Sequence, residues 1–126
     1  FAEAPGPLAT IVADWLRYQF ELKAPYLPLV RITLSQLVLR LEAFEGEAIR
    51  VQEVVNPPLA ALLEALQRRG LVPASADLVR VLNELKSLHF GLSCLWAMEG
   101  PPFALTESAL ATQVPAFCAA LERGAL

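Results

Sequence analysis

The chain has 126 residues, of which 56% are hydrophobic and 18% charged, and it carries a formal net charge of −3. That length builds one domain around one core, and the sparse, acidic charge excludes a phosphate-binding surface, which needs clustered Lys and Arg on one face. A membrane span is excluded as well: no run approaches the roughly 20 uninterrupted apolar residues required, and Arg31, Arg40, His89 and Glu99 break the longest stretches.

The apolar surplus is expected at an interface with a second chain, because an obligate interface resembles a core cut in half. Cys94 and Cys118 lie in neither a CxxC nor any metal-ligand spacing, which fits a reducing cytoplasm and no disulfide framework. The chain opens on Phe1 with no cationic signal segment, and is read as a fragment or a processed product.

Helical periodicity, with no alternating strand pattern of useful length, predicts an all-α bundle of about five to six helices forming a single domain over 1–126. The first helix follows Pro5, Gly6 and Pro7, repeats Leu8, Ile11, Val12, Trp15 and Leu22 at helical spacing, and stops before Pro25. The second starts around Tyr26 to Pro28 and runs through Leu27, Val30, Leu34, Leu37, Val38, Leu41 and Phe44. Leu29, Ile32 and Leu39 fall on its other side, which predicts a central position.

Gly46 weakens or ends that helix, and 47–55 reads as an extra turn or two before Asn56 caps a third helix opened by Pro57 and Pro58. The third helix turns Leu59, Leu62, Leu63 and Leu66 inward and stops at Gly70. Ser75 is expected to cap the fourth, which Gly100, Pro101 and Pro102 end. A fifth runs from near Thr106 to Leu121, with Pro115 expected to kink it.

On a wheel of about 100° per residue, Leu78, Leu82, Leu85, His89, Leu92 and Trp96 share one face of the fourth helix and point to the core. The opposite face carries Glu84, Ser87, Gly91, Cys94 and Met98, uncharged from Ser87 onward. Small residues admit a close neighbour, and soft Met and Cys fill irregular gaps.

The fifth helix has no charge between Ser108 and Leu121; Leu110, Val114, Phe117 and Leu121 line one face, and Ser108, Thr112 and Ala119 the other. Ser87, Gly91, Cys94 and Met98, with Leu110, Val114, Phe117 and Leu121, are therefore the expected homodimer interface, a four-helix bundle about a two-fold axis. Cover by another segment of the same polypeptide is the alternative.

From about Val54 to Leu126 the pattern resembles the end of TetR-family transcriptional regulators. It shows a leucine-rich helix and Gly turn (LLEALQRRGLVPAS), a long helix with a Phe-Gly-Leu centre and a Pro-Pro-Phe connector (LHFGLSCLWAMEGPPFAL), and a final amphipathic helix (TESALATQVPAFCAALERG). The segment PLATIVADWLRYQFELKAPYLPLVRITL looks like the two helices that follow that family's connecting helix. The helix-turn-helix that reads operator DNA is absent from this sequence, and Pro115 departs from the pattern. The resemblance implies an effector-binding, homodimerising domain, with DNA bound only through a segment outside this chain.

Three polar residues sit on apolar faces: Gln19, Arg31 and His89. A few polar groups among apolar walls suit a pocket for a small apolar or amphipathic effector, so the expected ligand set is Trp15, Gln19, Arg31, Leu34, Leu62, Leu66, Leu85, His89 and Trp96. The alternatives are a core imidazole bonded to a carbonyl or hydroxyl for His89, a snorkelling or Glu21- or Glu42-paired guanidinium for Arg31, and a cap on a buried carbonyl for Gln19.

Catalysis is not expected. The single His89 has no ligand partner at metal spacing, and Cys94, five positions from His89, points away from it on a helix. No cofactor is expected, a haem on His89 with Trp96 and Met98 nearby being the remote exception, and a helical adaptor that binds protein without a cavity is the rival to the regulator.

Overall fold

A computed structural model describes residues 1–39 and 45–126, apart from the side chains of 38 and 45–52. The described chain is all-helical, with α1 (Leu8–Lys23), a 3-10 turn (Ala24–Tyr26), α2 (Leu27–Leu39), α3 (Glu45–Arg68), α4 (Leu78–Glu99) and α5 (Ala104–Glu122). The expected course of the second helix through Leu41 and Phe44 falls outside the described residues.

α1 follows the extended Pro7 and buries Leu8, Ile11, Val12, Leu16 and Phe20. The inward stripe is the i, i+4 series ending in Phe20, so Leu22, expected inside, is 53% exposed.

α4, and not α2, is the central helix, touching α1, α2, α3 and α5. Its buried arc is wide, Val81, Leu85, Leu92, Ser93, Trp96 and Ala97, and the small Ser93 and Ala97 let neighbours approach on that side. α2 lies at the edge with Leu27 buried, Val30 and Leu34 half-buried, and Leu29, Ile32 and Leu39 at 61%, 61% and 78% exposure.

α3 is continuous through Asn56, Pro57 and Pro58, so Asn56 does not cap a new helix. Proline's φ near −65° is already helical, and the donors it lacks would have served the carbonyls of Glu53 and Val54, both exposed residues that water can reach. The Asn56 Oδ1 is buried and, among the described residues, has no hydrogen-bond partner. Gly70 ends the helix as expected at φ 78°, with the Leu71 N–H donating back to the Leu66 carbonyl at 3.0 Å.

The cap of α4 is Asp77, not Ser75: its carboxylate accepts from the N–H groups of Val79 and Arg80 at 3.1 and 3.4 Å. The turn closed by Ala76 N–H on the Pro73 carbonyl delays the helix start, which leaves Ser75 too early to reach it. At the far end Trp96, 2% exposed, is stacked between Phe20 (centroids 5.6 Å apart) and Phe103 (5.2 Å).

Two stability measurements test this packing. Trp96→Ala is expected to lose about 3–5 kcal/mol in urea unfolding. Asn56→Ala is expected to leave the midpoint unchanged or raise it, because it removes an unpaired buried oxygen; a loss of about 1 kcal/mol would instead mark a working cap.

Candidate functional site

An apolar cavity of about 450 Å³ lies between the N-terminal segment, α1 and α3. Phe1 and Ala2 form one wall, Trp15 and Gln19 of α1 a second, and Val54, Val55, Pro58, Leu59 and Leu62 of α3 the third. The N-terminal wall is held by Arg69, which donates to the carbonyls of Ala2 and Ala4 at 2.9 and 2.8 Å. Gln19 is the one polar side chain among the described lining residues, so an uncharged, largely apolar molecule suits the space.

Of the nine residues expected to line a pocket, Trp15, Gln19 and Leu62 meet in this cavity. Leu66, Leu85 and Trp96 are 1%, 2% and 2% exposed and belong to the core, and Leu34 packs against that core from α2. The Arg31 Nε donates to the Ala97 carbonyl at 2.6 Å and so serves the C-terminal end of α4, not a pocket or Glu21. The expected pairing with Glu42 lies outside the described residues.

His89 stands behind the cavity wall, its ring 5.4 Å from that of Trp15 in an edge contact. Its Nε2 is 3.0 Å from the Lys23 Nζ, which donates to it, while the His89 carbonyl accepts from Ser93 Oγ at 2.7 Å. Burial, then the Lys23 ammonium, lowers the His89 pKa to about 4, so the ring is neutral near pH 7. Burial also lowers the Lys23 pKa.

Phe1, Ala2, Val54, Val55, Pro58 and Leu59 complete the cavity, and sequence reasoning missed them as lining. Leu59 and Leu62 share the stripe read from periodicity, which was the available signal for the α3 wall. No local pattern announces Phe1 and Ala2, because Arg69, far along the chain, places them.

The expected interface residues divide. Leu110, Val114 and Leu121 are each 1% exposed within the chain itself and Phe117 is half-buried, so this face of α5 packs inward on α1 and α4. Only one broad apolar face exists on α5, and the core takes it. Between the exposed Glu107 and Glu122, α5 leaves Ser108, Ala111, Thr112, Gln113, Pro115 and Ala116 exposed, none of them charged. On α4, Ser87, Gly91 and Met98 are exposed, Met98 at 80%, and Cys94 is half-buried.

Among the described residues no group of three or more His, Cys, Asp or Glu could hold a metal ion. Burial, then Glu122, pushes the Cys118 thiol up to about 11, which keeps it protonated and unreactive. No described helix is long and apolar enough to cross a membrane.

The His89 shift links stability to pH. An unfolded chain protonates this ring near 6.5 and the folded one near 4, so its contribution is complete above pH 6.5 and is lost as pH falls towards 4. Urea titrations across that window should show the wild type losing about 2 kcal/mol more than His89→Gln; parallel slopes would refute the assignment. No protein-family model, curated protein or solved structure matches the chain.

Proposed function

We propose that this chain is the effector-binding and homodimerising half of a TetR-type transcriptional regulator of the cytoplasm, coupled in the intact protein to a DNA-reading segment outside this sequence. The observation that carries the reading is the pair of uncharged, solvent-facing helix surfaces on α4 and α5, the last two helices. An ordinary solvated helix carries charge there. A Cβ built on Gly91 meets nothing within 4 Å, so this face is open to a second copy.

The cavity between α1 and α3 is the effector site of this proposal. An apolar or amphipathic molecule seated there binds one relative position of the two helices better than another, and shifts the population accordingly. In a dimeric regulator that displacement changes the spacing of two DNA-reading heads. Free Cys94 and Cys118 suit a reducing compartment.

A second reading, a helical adaptor for another protein, is favoured by the edge of α2, where Tyr26 is 62% exposed beside Leu29, Ile32 and Leu39. It needs no ligand.

Light scattering of the dilute protein is expected to give twice the 13.7 kDa chain mass, and Gly91→Glu to halve it. A wild-type monomer removes the regulator reading. N-phenyl-1-naphthylamine, an uncharged fluorescent probe, is expected to brighten on binding and to lose that signal in Leu62→Trp, which fills the cavity; a dark wild type favours the adaptor.

A further inference from the structure

A proline inside a helix frees a backbone carbonyl, and α3 has two prolines in a row. Each helical carbonyl accepts from the N–H four residues on, so the carbonyl of Val54 would accept from position 58. Pro58 has no N–H to give, and its ring crowds that carbonyl away from the helix axis. Glu53 and Pro57 repeat the arrangement one residue earlier, but Val54 and Pro58 line the cavity between α1 and α3, whereas Glu53 and Pro57 do not.

Residues four apart lie one above the other on a helix face, and the carbonyl of the first points along the axis towards the second. The Val54 oxygen therefore lies between two residues that both wall the cavity, and it opens on that wall. A carbonyl there without a helical donor calls for one from water or from a ligand. Gln19, on the α1 wall, is the one polar side chain among the described lining residues, and it has no hydrogen-bond partner among the described residues. No described lining side chain is charged, so a cationic donor would meet no counter-charge, and bringing a charge into apolar space is costly.

We infer that the Val54 carbonyl is the recognition group of this cavity, and that its ligand is an uncharged molecule with an apolar body and a hydroxyl or N–H head that donates to that oxygen. This rests on the effector-site reading of the cavity and is independent of dimerisation. The body fills the space and the head selects. A ligand whose head only accepts, such as an ether, leaves the carbonyl without a donor.

The test titrates 2-naphthol and 2-methoxynaphthalene into the whole chain at pH 7, read by calorimetry. The two share a body and differ in whether the oxygen carries a proton. Pro58→Ala supplies the missing N–H, which closes on the Val54 carbonyl, and alanine keeps the helix. The extra methyl group favours the ether equally in both proteins and so cancels. The naphthol-to-ether affinity ratio is expected to fall about fivefold in Pro58→Ala, the ratio that one hydrogen bond makes. Leu62→Trp, with its helicity checked by circular dichroism, is expected to abolish the binding of both. Both probes binding with a ratio that Pro58→Ala leaves unchanged overturns this inference alone. Neither probe binding the wild type, or naphthol binding that survives Leu62→Trp, overturns the effector-site reading and this inference with it. A monomeric protein that still shows the fivefold change loses the regulator reading and keeps this one.

Discussion

The joint between α4 and α5 is the contact on which the rest of the molecule depends. Helix ends leave carbonyls at one end and N–H groups at the other without partners, and here side chains of opposite charge serve opposite ends. The Arg31 guanidinium donates to the Ala97 carbonyl in the last turn of α4, drawing α2 against that helix. The Glu99 carboxylate accepts from the Leu105 N–H, the Thr106 N–H and the Thr106 hydroxyl at 2.6, 2.9 and 2.8 Å, and so opens α5. Burial raises the Glu99 pKa, but these three hydrogen bonds outweigh it and hold the carboxyl below its usual range.

That joint turns the chain back and drops Phe103 onto Trp96, which completes the three-ring stack with Phe20 of α1. A Cβ at Gly100 would lie 2.8 Å from the end of the flexible Arg31 side chain, which can move aside, but the backbone there has φ 73°, so it is conformation that requires glycine. Once α4 and α5 are antiparallel neighbours, Leu110, Val114, Cys118 and Leu121 must enter the core. The surface left on the pair between Ser87 and Met98 of α4 and between Ser108 and Ala116 of α5 exposes no charged residue. Arg17 and Glu107 add a fork-shaped contact between α1 and α5, but at the surface water and salt weaken it.

Charge is placed economically across the fold. Arg31 and Glu99 serve helix ends, Arg69 ties down the N-terminal segment, and Gln67 organises the loop before α4 through the Pro73 carbonyl at 3.0 Å. Lys23 is the exception: it faces a neutral ring instead of a carboxylate. It is the last residue of α1, and among the described residues no carboxylate pairs with it.

Composition and periodicity alone determined that the chain is all-helical, where Gly70 and Gly100 stop their helices, and that Leu59, Leu63 and Leu66 or Leu85, Leu92 and Trp96 face inward. Those features are set by neighbours within a turn or two, where 3.6-residue spacing and the φ preferences of glycine act. Tertiary structure decided the rest. The prolines at 57 and 58 suggested a helix start, yet exposed carbonyls behind them let α3 run on. Which face of α5 was core, and that α4 rather than α2 sat at the centre, depended on how many neighbours each helix met. The cavity, the role of Arg31 and the meeting of Lys23 with His89 join residues 66 positions or so apart in the chain, and no local pattern encodes a distance between helices.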